Sequence, residues 1–344
     1  MPTRGYHRLM HPISLIACVC VCALVPASAA AAQEPREAIP AKPLEQTPPI
    51  AEGETRVRIT EDAPERVYRY RLIEPSAQAL ARAGGALPLV VFLHGSGERG
   101  SDNTAQLKHF AGWTATEAFQ SRAPSFVLAL QCPADESWAA IDLKAIRERG
   151  EQPTMAKDPT PSMRAVMQAI DAVLASKPID RERIYLTGLS MGGFGAFDLA
   201  ARRPELFAAV VPVCGGGDPA TAPRLVRLPF FIVHGADDAI VPAALLRKMA
   251  EALGAAIDAA WRAERAGIVG SNPPKPMPKR PPNPSYREYE GVGHDSWTPA
   301  YRFGEDGVLD WMFAQRRAPS RDLPTLPGVK APPALETPPP PRNP

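Results

Sequence analysis

Histidine is scarce in this sequence, six in 344 residues, and two of them, His7 and His11, sit at the extreme N-terminus. Imidazole chemistry in the body of the chain must therefore come from His94, His109, His234 or His294. Cysteine is as scarce: of five, Cys18, Cys20 and Cys22 lie in an apolar N-terminal stretch, leaving Cys132 and Cys214. Those two follow strands that three sheet positions separate in the fold read below, on the order of 14 Å at the usual strand spacing. A disulfide needs Cα atoms within about 7 Å, so two unpaired, partly buried thiols are expected. An excess of one charge is missing too. The formal net charge is +2, and it falls to about zero if Arg4 and Arg8 leave with the N-terminus. With no basic run either, the chain offers nucleic acid no footprint. No apolar run is a comfortable membrane span.

What replaces a span is a graded leader. Arg4 and Arg8 precede an apolar run from Ile13 to Val25, then Pro26 and small residues through Ala32. Residues 1–32 read as a secretory signal cleaved after Ala32 or Ala29, which predicts export to the periplasm or the medium without stable membrane insertion afterwards. Leu15-Ile16-Ala17-Cys18 also resembles a bacterial lipobox, a second and lower-ranked route that would anchor the chain by lipid at Cys18.

Proline is abundant, 41 residues, and concentrated. Fixed φ angles and little to bury make residues 33–53 a linker and residues 317–344 a tail, with a Pro/Lys-rich insertion at 255–284 read as a solvated loop. One catalytic-sized domain, residues 54–316, remains between them.

Within that domain the first two strands alternate, as in Val67-Tyr68-Arg69-Tyr70-Arg71-Leu72, and predict an antiparallel pair. Residues 89–93, 126–130, 208–213 and 230–233 are instead continuous apolar runs, the pattern of strands covered on both faces. Helices are expected at 163–176, 194–202, 243–253 with an extension toward 266, and 298–314. A fifth strand at 183–187 and a last one at 286–289 complete a doubly wound α/β sheet of about eight mostly parallel strands. Ligands then belong at the carboxyl ends of the strands.

Polar motifs gather at those ends. Gly188-Leu189-Ser190-Met191-Gly192 is a Gly-x-Ser-x-Gly frame at a strand-to-helix corner, where only near-absent side chains fit on either side of an exposed serine. A nucleophilic Ser190 needs a base, an acid to orient it and oxyanion donors. His94 and His234 end strands before glycine and read as loop braces, and His109 as a surface or supporting group. His294, on the loop after the last strand, is the expected base. The acid must come from Asp218, Asp237, Asp238 or Asp258, with the neighbours Asp237 and Asp238 best placed after the seventh strand. Trp138, Trp113 and Trp297 are candidates to line a substrate pocket, Trp138 and Trp297 above all.

Taken in order, His94-Gly95-Ser96-Gly97-Glu98-Arg99-Gly100 with Asp102-Asn103, Gln131-Cys132-Pro133, Gly188-Leu189-Ser190-Met191-Gly192-Gly193, His234-Gly235-x-x-Asp238-x-x-Val241-Pro242 and His294-Asp295-Ser296-Trp297 resemble the α/β-hydrolase family. Within it they look like the carboxylesterase and phospholipase-like branch, including the secreted "predicted peptidase" or esterase-like group. The resemblance implies Asp238 as the acid and the backbone N–H groups of Met191 and Ser96 as oxyanion donors. It implies hydrolysis of carboxylic esters with no cofactor and no metal, and the lack of an obvious large lid segment before Ser190 points to small-molecule or polymer-borne esters. Amide hydrolysis on the same fold is the second reading, and a non-catalytic binding protein the third.

Overall fold

The computed structural model describes residues 50–60, 62–268, 276 and 279–317. The signal, the lipobox cysteine, most of the linker, the middle of the insertion and the tail lie outside the described residues. Eight strands form one sheet in the order β1-β2-β4-β3-β5-β6-β7-β8. They are β1 (Ile50–Arg58), β2 (Glu65–Ile73), β3 (Leu87–Leu93), β4 (Phe126–Leu130), β5 (Ile179–Leu189), β6 (Ala209–Val213), β7 (Phe231–Gly235) and β8 (Ser285–Tyr289). The β1–β2 and β2–β4 pairs are antiparallel and every other pair is parallel.

Nine α-helices accompany them among the described residues: α1 (Ala77–Arg82), α2 (Ala111–Thr114), α3 (Glu117–Arg122), α4 (Leu143–Arg149), α5 (Pro161–Ser176), α6 (Met191–Arg202), α7 (Ala244–Ile268), α8 (Trp297–Ala300) and α9 (Leu309–Ala314). The continuous apolar strands are divided by their pleat. Leu89, Val91 and Leu93 of β3 pack with α5, α6 and α7, while Val90 and Phe92 face α2, α3 and the C-terminal segment around Tyr301 and Leu309. Burial on both faces is what allows β3 to be apolar at every position.

Three boundaries differ from the sequence reading. β1 begins at Ile50, inside the segment read as linker, because Ile50 to Arg58 pairs along the whole of β2. The insertion is not a loop from 255: α7 runs on to Ile268, with Leu253 and Ile257 still buried. The expected last helix, 298–314, is broken into α8 and α9. Gly304, at φ 95°, and Gly307, where a Cβ would come 1.8 Å from Arg302 O, turn the chain between them.

The chain leaves β3 toward β4 on one side and enters β5 on the other, so the carboxyl ends of β3 and β5 flank a topological switch point, the expected place for a ligand.

Candidate active site

The corner after β5 is built by steric exclusion. A Cβ on Gly188 would lie 2.4 Å from Gly192 O, and one on Gly192 would lie 1.8 Å from Leu93 O. Between them Ser190 takes φ 53° and ψ −118°, outside the regions a residue with a Cβ ordinarily occupies. Such a conformation costs on the order of 1–3 kcal/mol and is held by its surroundings: Ser190 N–H donates to Val213 O at 2.9 Å, and Ser190 O accepts from Gly193 N–H at 2.8 Å.

His294 reaches the corner from the loop after β8. Its Nε2 is 2.9 Å from Ser190 Oγ and its Nδ1 is 2.8 Å from Asp238 Oδ2. An ionised carboxylate only accepts, so Nδ1 carries the proton and Nε2 is left to accept from the Ser190 hydroxyl. Asp238 also takes the N–H groups of Ile240 (2.8 Å) and Val241 (2.9 Å) on Oδ1. Burial pushes this carboxyl up, but donors from His234, His294, Val241 and Ile240 outweigh it and hold Asp238 well below the usual carboxylate range.

The other three acids are occupied elsewhere or turned away. Asp237 is exposed, Asp218 caps a 3₁₀ turn by accepting from Ala220 N–H, and Asp258 is bound to Arg280.

The first turn of α6 opens at Met191, and a 3₁₀ turn, Ser96–Glu98, opens at Ser96. Both N–H groups stand at the start of a turn, where no partner within the helix exists for them. His94 braces the Ser96 loop from beneath. Its Nδ1–H donates to Gly95 O at 2.6 Å, its Nε2 accepts from Cys132 N–H at 2.9 Å, and its carbonyl accepts from Trp138 Nε1–H at 2.9 Å. Burial lowers the His94 pKa to about 4, so this imidazole stays neutral and keeps both bonds. Gln131 does the same for the next residues, donating to Glu98 O and Asp102 Oδ1 while accepting from Asn103 N–H.

The tryptophans separate. Trp138 is fully buried and does not line the site as expected. Gly195 makes room for it in the core, since a Cβ there would fall 2.6 Å from Trp138 Cβ. Trp113 is buried against Phe119 and Phe303. Trp297 stays at the site, edge-on to His294 with ring centres 5.5 Å apart, and its other neighbour is His109 at 5.2 Å. His109 in turn faces Glu98 of the Ser96 loop at 3.4 Å. Cys132 and Cys214 are free and buried, and burial pushes the Cys132 thiol up to about 12.

One contact escaped the sequence reading. His234 is completely buried, and its Nε2 lies 3.0 Å from Asp238 Oδ2, the same oxygen that His294 uses, and 2.9 Å from Val241 O. Both partners are acceptors, so Nε2 carries the proton. The spacing His234 to Asp238 across the end of β7 was the available signal. Among the described residues no group of three or more His, Cys, Asp or Glu side chains could hold a metal ion, and no helix is long and apolar enough to cross a membrane.

A serine hydroxyl, an imidazole and a buried carboxylate in hydrogen-bonded series, beside a glycine-rich turn, lie on an α/β-hydrolase fold. The family model described as phospholipase/carboxylesterase matches residues 78–268. The chain belongs to that family. The match includes Ser190 and Asp238 and ends before β8, so His294 is placed by the structure alone. A crystal structure of a thermostable esterase is 32% identical, with a TM-score of 0.58, over 77% of this chain and 63% of that one. "Putative esterase NocK" of Nocardia uniformis subsp. tsuyamanensis is 28% identical over 204 residues, 58% of this chain and 53% of NocK. Poly(3-hydroxyalkanoate) depolymerase C of Paucimonas lemoignei is 40% identical over 52 residues, 15% of this chain and 13% of that protein. This chain thus spans about half the length of NocK and less of the depolymerase.

Proposed function

We propose that this protein is an exported serine esterase that hydrolyses carboxylic esters through an acyl-enzyme on Ser190. The observation that carries the reading is the unbroken series Ser190 Oγ, His294, Asp238, with links of 2.9 and 2.8 Å. Nε2 of His294 removes the hydroxyl proton as Oγ attacks the ester carbonyl. The charge that develops on the carbonyl oxygen meets the N–H groups of Met191 and Ser96, and Asp238 steadies the imidazolium. His294 then gives its proton to the departing alcohol, and water, activated by the same nitrogen, releases the acid. The leaving alcohol passes beside Trp297, whose ring flanks His294 and offers a face to an aromatic or apolar group. Among the described residues the only helix between β4 and α5 is the short α4, and no large cap is inserted there before the serine. An open site suits soluble or polymer-borne esters, and the short likeness to a polyester depolymerase agrees with this. Export rests on the leader at residues 1–32.

A fluorophosphonate probe is expected to label the protein on Ser190, and Ser190→Ala is expected to abolish labelling and cost on the order of 10⁶ in kcat. A panel of p-nitrophenyl esters and peptide amides separates ester from amide hydrolysis. Turnover that persists in Ser190→Ala would overturn the assignment, and cleavage of amides in preference to esters would make the protein a peptidase.

A further inference from the structure

One cleft is lined by none of Ser190, Asp238 and His294. It encloses about 330 Å³ and is lined in part by Arg66, Tyr68, Arg69, Gly100, Ser101 and Gln131. β2 runs antiparallel to β4, so the first residues of β2 stand at the carboxyl end of β4, on the same edge of the sheet as Ser190. Gly100 and Ser101 continue the loop that carries Ser96, so the cleft and the oxyanion donors share one wall. The lining at β4 is two places from β5 and that at β2, which carries Arg69, is three, so the cleft spans about 10 to 14 Å from the strand that ends in the serine at the usual strand spacing.

Its charges are unequally satisfied. Arg66 is fully engaged by two carboxylates, Asp135 (2.6 Å) and Glu136 (2.7 Å), and brings no free positive charge. Asp102, exposed, accepts Thr104 N–H, Ala105 N–H and Gln131 Nε2–H all on Oδ1. Arg69 is different: it is exposed, and the partner shown for its guanidinium is a main-chain carbonyl, Ser101 O at 3.3 Å. Arg99, between the cleft and Ser96, is also exposed and bonds to carbonyls, those of Ser96 (3.1 Å) and Glu136 (3.3 Å). A guanidinium has five donors in a fork that matches a carboxylate, and both arginines keep most of theirs free for one.

His294, which must protonate the leaving alcohol, comes from beyond β8, on the other side of Ser190 from the cleft. The part of an ester that extends toward β4 is therefore the acyl part. We infer that this cleft is an acyl subsite for acids bearing a second carboxylate about 10 Å from the scissile carbonyl, with Arg69 as its principal partner. The inference rests on the esterase reading and names the substrate class for it.

The test compares p-nitrophenyl hydrogen suberate with p-nitrophenyl octanoate, chains of equal length that differ in the terminal charge, and uses the acetate as control. Arg69→Gln is expected to lower kcat/KM for the suberate by about two- to fivefold, through KM, and to leave octanoate and acetate unchanged. The loss should shrink as salt is raised, because the site is exposed. Equal loss on both long esters, or none, overturns the subsite while acetate turnover still reports the serine. Calorimetric binding of monomethyl suberate to Ser190→Ala, with and without Arg69→Gln, reads the subsite without turnover. Binding that Arg69→Gln does not weaken also overturns it, whatever becomes of the esterase reading.

Discussion

Replacing His234 by phenylalanine removes one donor from the carboxylate oxygen that steers His294. Asp238 Oδ2 is shared by His294 at 2.8 Å and His234 at 3.0 Å, while Oδ1 takes two amides. A hydrogen bond to a charged group is worth about 1.5–3 kcal/mol. At 1.36 kcal/mol per pH unit, its loss makes the carboxylate more basic by about one to two units. His294 is bonded to the same oxygen, and a more basic oxygen holds its Nδ1 proton more tightly and favours the imidazolium. The base works only when neutral, so protonating it at higher pH moves the acid limb of the rate profile upward. Glu288 faces His234 across the β7–β8 register and is paired with Arg247. The assay is kcat/KM for p-nitrophenyl acetate across about pH 4.5 to 9, with Tm recorded beside it. The plateau should fall less than about tenfold, far short of the roughly 10⁴ expected for Asp238→Asn. His234→Gln, which retains an N–H donor, should return the limb toward its original pH. A folded His234→Phe protein with an unmoved acid limb refutes the reasoning, as does a plateau lost to the extent of Asp238→Asn.

Trp138→Phe should cost about 1 kcal/mol through the lost bond to His94 O and leave KM for small esters unchanged, read by Tm and steady-state kinetics. A large rise in KM would return Trp138 to the substrate. Gly192→Ala forces a Cβ against Leu93 O, backbone against backbone, and should yield no soluble folded protein, whereas Gly97→Ala meets nothing within 4 Å and should express normally. Stability should depend on acid in one direction. Glu288 is held at about 2 by Arg247, and Asp238 is held well below the usual carboxylate range by its donors, so both contribute fully above the ordinary carboxylate range and lose that contribution as pH falls through their folded values. Tm should be level above about pH 5 and drop below about pH 4, with a shallower fall in Glu288→Gln.

Which of these residues could be read before the structure follows from the kind of constraint each obeys. Gly188 and Gly192 are legible because two backbones approach too closely for any Cβ, and glycine is the single residue type that records this. The buried strands are legible because β3 and β4 are apolar at every position, which only double burial tolerates. Trp138 misled because a tryptophan among polar loop residues looks available to a ligand. The Gly195 that admits it to the core belongs to a different element, and nothing local to Trp138 announces it. The helix extension toward 266 was legible and α7 ends at Ile268, but the insertion read over 255–284 misled: its later prolines colour the composition of a window whose first half is helical and still buries Ile257. His234 is the instructive failure. Its position before glycine at a strand end correctly suggested a brace, and it does hold Val241 O. That it also divides Asp238 Oδ2 with His294 is a statement about one acceptor and two donors meeting from β7 and from the loop after β8. Residue type says which atoms can donate; it does not say how many donors an oxygen serves, and the basicity of that oxygen depends on the number.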